Sequence, residues 1–235
     1  MGRAVEKTHP LFLVYCIKFV CFEGFVVCFP KTFLECFLSE QLKKSNPLYP
    51  IFLKTTQLQI LIVGGGYVAL EKLSFIFKSS PDSRVTIVSP MLREDTAQFI
   101  KGKNIIYIKD HYNKSHLENK HMVIATTDSP EVNETVFEDC REQHILVNVA
   151  DSPSQCDFYM GSIVTKGNLK IGISTNGKSP TFAKRFRQWL ENFLPEQIDD
   201  ILNKLYIYRS KIKGDFEQKV EAMNRATEKL INEHD

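Results

Sequence analysis

Along the middle of the chain, short apolar runs alternate with longer stretches whose apolar residues recur at helical spacing. The runs at 58–63, 84–88, 104–108, 121–125 and 145–149 read as strands, and the stretches at 67–77, 92–100 and 130–143 read as helices. Pro81 and Asp82 mark a turn, and Pro130 stands where the first turn of a helix accepts proline. Strands alternating with helices predict a parallel sheet with helices on both faces. Beyond residue 151 the pattern changes. Runs at 161–165 and 169–174 flank Lys166-Gly167-Asn168, a hairpin signal, and 179–192 reads as an amphipathic helix. From Pro195 onward the chain looks helical, with frequent Lys and Glu. The expected fold is α/β: a parallel sheet, then a small α+β segment, then a helical C-terminal region.

The first strand runs directly into three glycines and a helix pattern, LQILIVGGGYVALEK over 58–72. As G-x-G-x-x-A this uses Gly64, Gly66 and Ala69. The first glycine permits the tight turn, the second lets backbone approach a pyrophosphate, and the small third residue lets helix pack on strand. N–H groups opening such a helix face a phosphate, with the helix dipole adding to the attraction. A strand-to-helix turn without ligand has the same outline; the place of the motif between strand and helix is what favours a Rossmann-like dinucleotide site.

Three further groups carry candidate chemistry. Thr126, Thr127 and Asp128 follow the fourth strand, where a doubly wound sheet binds its ligands, although Asp128 or Ser129 also suits the cap of the helix at Pro130. Asp151 ends the fifth strand and could move a proton, or simply occupy a turn in Asp-Ser-Pro. Lys178, Lys184, Arg185 and Arg187 cluster around a Ser179-Pro180 helix start, which makes either an anion site or a solvated basic face. The acid that usually holds the ribose is missing, since the second strand ends in Val88-Ser89-Pro90-Met91. NAD and NADP are therefore not distinguished by the residues.

Composition narrows the picture. The 235 residues are 43% hydrophobic and 25% charged, ordinary for a globular protein, and the net charge of +2 gives no bulk field for nucleic acid. Six cysteines form no C-x-x-C pair, and the histidines at 111, 116 and 121 have no ligand spacing, so no metal site is expected and the body reads as reduced and cytoplasmic. Residues 1–45 differ from the rest. LFLVYCIKFVCFEGFVVCF is long enough to span a bilayer, but Lys18 and Glu23 break it. A poor membrane anchor, an interaction segment and an upstream extension from a misplaced start are the readings; the extension is preferred, because the nucleotide pattern downstream is complete without it.

The strings VGGGYVALEK, VTIVSP, ATTDSPEVN, ILVNVADSPSQCDFYMGSIV and IGISTNGKSPTFAKRFR, in this order, resemble the precorrin-2 dehydrogenase / sirohydrochlorin ferrochelatase family over residues 46–192. The resemblance implies a Rossmann domain over 46–157, a dimerisation and substrate segment over 158–192, and a helical region over 193–235, with 1–45 having no counterpart. It implies NAD-dependent oxidation of precorrin-2 to sirohydrochlorin, in many members followed by ferrous iron insertion, and a homodimer. Asp151 falls on the family's aspartate used in both reactions; Gly64, Gly65, Gly66, Tyr67 and Val68 fall on its glycine turn, and Ser89, Pro90 and Met91 near its second nucleotide contact. Thr126 and Asp128 complete the expected cofactor set. Lys178, Ser179, Lys184 and Arg185 suit the carboxylates of a tetrapyrrole by charge. A serine that is phosphorylatable in one branch corresponds to Thr175, and its glycine pair is Asn176-Gly177, a departure that leaves a regulatory role for this position open. A dehydrogenase without chelation, and a non-catalytic nucleotide-sensing module, stay open as alternatives.

Overall fold

The structure is a computed structural model that describes residues 46–228 and, as backbone, two short strands nearer the N-terminus. Those strands, β1 (Lys18–Phe22) and β2 (Phe25–Phe29), pair antiparallel with Lys18 opposite Phe29. The chain divides into two units, residues 1–49 and residues 50–235, and β1 and β2 belong to the first. The rest of residues 1–45, on which the anchor, interaction and extension readings bear, lies outside the described residues, as does 229–235. Among the described residues no helix is long and apolar enough to cross a membrane.

The second unit is built on five parallel strands. In chain order these are β3 (Gln59–Val63), β4 (Arg84–Val88), β5 (Ile105–Ile108), β6 (Met122–Ala125) and β7 (Leu146–Val149), and their spatial order is β5-β4-β3-β6-β7. Helices α1 (Tyr67–Ser79), α2 (Glu94–Ile100) and α3 (Pro130–Glu142) connect them. This is the parallel, helix-covered sheet expected from the sequence. Strands covered on both faces read as unbroken apolar runs, because neither set of alternating side chains meets water. β3 illustrates this. Leu61 and Val63 pack with Val136 and Cys140 of α3, whereas Ile60 and Ile62 pack with Ala69, Leu73 and Phe77 of α1. Each fully buried aliphatic side chain here contributes about 1.5–3 kcal/mol. The α1 residues fall at i, i+4 and i+8, one stripe of the helix. α2 joins the same layer through Phe99, whose ring meets Phe77 edge-on with centroids 6.3 Å apart.

After β7 the chain folds back along it. Val147 N donates to Asp157 Oδ2, the Val147 carbonyl accepts from Asp157 N, and Asn148 Nδ2 donates to Phe158 O. Arg141 of α3 closes on Asp157 at 2.7 Å. A hairpin follows, β8 (Ser162–Lys166) and β9 (Leu169–Ile173), with the two-residue turn Gly167-Asn168. The turn is shorter than the three residues suggested by sequence, because Lys166 pairs with Leu169. Lys170 Nζ donates to the carbonyl and the hydroxyl of Ser79, which fastens the hairpin to the last residue of α1. Helix α4 (Pro180–Phe193) packs on β8 through Ala183, and is capped by Ser179, whose Oγ accepts from Phe182 N at 3.2 Å. Helices α5 (Ile198–Lys211) and α6 (Phe216–Thr227) follow, with no fully buried residue. Asp199 of α5 accepts from the backbone and side-chain nitrogens of Asn168, bonds that hold its carboxyl below the usual carboxylate range.

Candidate functional site

Parallel pairing in register aligns the ends of four strands. Val63 lies opposite Val88 and Ala125, and Ala125 lies opposite Val149. The residues that leave the sheet, Ser89, Gly64, Thr126 and Ala150, therefore form one row along its carboxyl edge. β4 lies on one side of β3 and β6 on the other, so the chain's direction of winding changes at β3. Ligands of open α/β sheets bind at such a switch point.

Each glycine of the turn answers a different demand. Gly64 has φ +114°, and a Cβ there would lie 2.7 Å from Thr126 Oγ1. A Cβ on Gly65 would lie 2.5 Å from the Met91 carbonyl and 2.9 Å from Ser89 Oγ. A Cβ on Gly66 would meet nothing within 4 Å. The first two glycines thus let the turn pack against its neighbours, and the third faces open space at the N-terminus of α1. That end carries neither a side-chain cap nor an acid in its first turn, so its N–H groups are open to an anion. An open cradle of backbone donors fits a dinucleotide pyrophosphate. We predict that Gly65→Ala displaces the 89–92 loop and lowers stability by about 1–3 kcal/mol, as overpacking does; thermal unfolding measures it.

The other cofactor candidates lie around this cradle. Tyr67 is exposed and Val68 half-buried; the Arg93 guanidinium sits 5.6 Å over the Tyr67 ring, and Arg93 N donates to Gly65 O. Ser89 Oγ donates inward to Met91 O, while Pro90 and Met91 are exposed. Thr126 Oγ1 likewise donates inward, to Val63 O at 2.9 Å, so what Thr126 offers the groove is backbone. Asp128 is exposed, and the cap of α3 is Ser129, whose Oγ accepts from Val132 N. Asn133, which the sequence did not single out, clasps this loop: its Nδ2 donates to Thr127 O, and its Oδ1 accepts from Thr127 N.

Asp151 stands at the end of the row in an unusual backbone state. Ser152 N donates to Val149 O, closing a turn in which Asp151 has φ +60°. The left-handed region at that turn position suits glycine, and a non-glycine residue there costs energy. The side chain is exposed and opens into a cavity of about 670 Å³ that lies between α1, the 148–156 loop, the hairpin and α4. Three acids line this cavity, Glu71, Asp151 and Glu191. Glu71 is paired with Lys72 and Glu191 with Arg187. Asp151 alone of the three has no hydrogen bond or ion pair among the described residues. Nearby Cys156 gives its Sγ to the Val149 and Ser152 carbonyls, and burial pushes its thiol above the ordinary value.

Of the four basic-strip candidates, Lys184 lines the cavity, whereas Lys178, Ser179 and Arg185 lie outside its lining. Arg187, in the same strip, also lines it. Lys72 and Lys78 of α1 line it from the opposite side and were not legible as site residues. Among the described residues no cluster of three or more His, Cys, Asp or Glu has the arrangement to hold a metal ion.

Comparison with known proteins bears on this arrangement. Residues 51–162 match the family described as "Putative NAD(P)-binding", and residues 166–192 match the family described as "Sirohaem biosynthesis protein central". A siroheme synthase from Psychrobacter sp. (strain PRwf-1) is 34% identical over 174 residues, 74% of this chain and 34% of that protein. A siroheme synthase from Pseudoalteromonas translucida is 35% identical over 167 residues, 71% of this chain and 35% of that protein. The chain thus spans about a third of the length of the curated relatives it matches. Among solved structures, that of "SirC, precorrin-2 dehydrogenase" shares the fold with a TM-score of 0.60 at 22% identity, covering 80% of this chain and 92% of that one. With an NAD(P)-binding domain running into that central segment, the chain belongs, over residues 51–192, to the family of sirohaem biosynthesis proteins.

Proposed function

We propose that the protein catalyses the NAD-dependent dehydrogenation of precorrin-2 to sirohydrochlorin. The observation that carries this reading is Asp151, an unpaired carboxylate placed both on the row of strand ends and in a cavity with cations on two walls. The first position is where the nicotinamide half of a dinucleotide held at Gly66 would reach; the second suits a large, carboxylate-bearing substrate. Dehydrogenation removes a hydride and a proton. NAD, when bound, supplies the hydride acceptor. Asp151 takes the proton, and the turn that holds it, closed by Ser152 N on Val149 O and held by Cys156 Sγ on the Val149 and Ser152 carbonyls, fixes where the carboxylate stands. Lys184 supports substrate binding from α4. In the same reading Asp151 also relays the pyrrole protons displaced when ferrous iron, as a substrate, enters sirohydrochlorin. The test is incubation of purified protein with precorrin-2 and NAD, and then with ferrous iron. Sirohydrochlorin formed with NADH supports the dehydrogenase; sirohaem formed only with protein present supports chelation. Nucleotide binding without turnover would return the protein to the class of nucleotide sensors.

The reading includes a homodimer. Phe182, Phe186, Trp189 and Phe193 run along one face of α4, stacked with centroids 5.8, 5.6 and 5.2 Å apart. They are 58%, 39%, 54% and 59% exposed. A contiguous aromatic stripe of this kind calls for cover, and a two-fold axis lets one stripe meet its own copy. We predict that the wild type sediments as a dimer at micromolar concentration and that Trp189→Glu sediments as a monomer. A wild-type monomer at that concentration would remove the dimer from the account.

A further inference from the structure

We propose that α1 serves two ligands: its N-terminus receives the dinucleotide phosphate, and Lys72 and Lys78, further along, anchor carboxylates of the tetrapyrrole. This rests on the reading of the preceding subsection and deepens it by assigning the substrate's anchors to the nucleotide-binding domain itself.

The placement follows from the helix period. Ala69, Leu73 and Phe77 turn one face of α1 to the sheet. Glu71, Lys72, Phe75, Lys78 and Ser79 occupy the opposite side and line the cavity. Phe75 is 44% exposed there, an aromatic surface beside Met160 and Ile163 of the cavity wall. Lys184 and Arg187 stand across from it on α4. Apolar side chains in the lining, with cations contributed by α1 and by α4, match one kind of ligand, a broad macrocycle whose ring is apolar and whose edge carries carboxylates. Pairs of charges facing each other across the ring would hold it by its periphery and leave its centre over Asp151.

Simpler roles for the two lysines are already filled. Lys78 lies in the last turn of α1, where a cation complements the helix dipole. Lys170 performs that task by binding the Ser79 carbonyl. Lys78 itself is exposed and has no ion pair or hydrogen bond among the described residues. Lys72 is paired with Glu71 at 3.1 Å, a contact between adjacent residues that a substrate carboxylate can displace. Its side chain is 20% exposed, and its charge acts on the Cys156 thiol beside the Asp151 turn. α1 thereby fixes the separation of the two ligands. A rigid helix that grips the pyrophosphate at one end and the substrate edge along its flank sets where nicotinamide and macrocycle meet.

The experiment uses the full chain, with Lys72→Gln, Lys78→Gln, the double variant, and Lys72→Arg/Lys78→Arg as the charge-preserving control. Uroporphyrin, a porphyrin with peripheral carboxylates, serves as the binding probe, read by fluorescence anisotropy at low salt. The Kd for uroporphyrin and the KM for precorrin-2 are expected to rise about tenfold for each lysine neutralised, the scale of a charged hydrogen bond. The arginine control restores both to within about threefold, kcat changes less than KM, and NAD affinity by calorimetry stays within twofold. Uroporphyrin binding by the double variant that equals the wild type overturns the proposal, as does a wild type that does not bind uroporphyrin at all. Lysine-dependent uroporphyrin binding in a wild type that does not oxidise precorrin-2 removes the dehydrogenase reading and leaves the anchors in place.

Discussion

Asp151→Ala is expected to slow precorrin-2 oxidation by about 10²–10⁴-fold at saturating NAD, the range in which general acid–base groups act. Dinucleotide affinity should not change, because Asp151 follows β7 whereas the phosphate cradle follows β3. The companion variant is Asp151→Gly. At φ +60° an aspartate holds a conformation that glycine adopts without strain, so this change should leave the melting temperature unchanged or raise it while activity is lost. A more stable and inactive protein would mean that the carboxylate is kept at this turn for chemistry. A rate within about threefold of wild type, well short of the general acid–base range, would make Asp151 a turn residue and leave the proton acceptor unassigned.

Gly66→Val should abolish dinucleotide binding in a protein that still folds. Gly66 is exposed and extended, with φ −86°, which a branched residue tolerates. A Cβ there meets nothing within 4 Å outside its chain neighbours, so the fold bears only the exchange of an N-cap glycine for a poorer cap, about 1 kcal/mol, while the side chain fills the space before the N–H groups of α1. Loss of those backbone contacts and of close approach should weaken NAD by about 100-fold or more, roughly 2.7 kcal/mol. Calorimetry on the folded variant is the measurement, and NAD affinity equal to wild type would place the phosphate elsewhere. Gly65→Ala provides the contrast, since its Cβ collides with backbone and costs stability.

The sheet was legible in the sequence because strands buried on both faces appear as unbroken apolar runs, as 60–63 and 122–125 do. Boundaries moved for local reasons. The second helix starts at Glu94, two residues later than its apolar pattern suggests, because the 89–92 loop packs over Gly65 and the Arg93 amide bonds to the Gly65 carbonyl. The glycine turn was legible because each glycine performs a local task. The cavity was not. It forms between α1 and α4, segments about a hundred residues apart, and helical periodicity identifies the face of α1 that is buried at Ala69, Leu73 and Phe77 but not what stands opposite the other face. Lys72 and Lys78 were missed for that reason. Ser179 was legible as a helix start, and its hydroxyl serves as the cap of α4. The left-handed state of Asp151 gave no sequence signal, since such turns are usually recognised by their glycine.

The most direct measurement is the stoichiometry of a single turnover with the purified full chain, precorrin-2 and NAD under exclusion of oxygen. The account predicts one NADH for each sirohydrochlorin formed, with both products lost together in Asp151→Ala and in Gly66→Val. Sirohydrochlorin appearing without NADH, or neither product appearing although NAD binds, would contradict it.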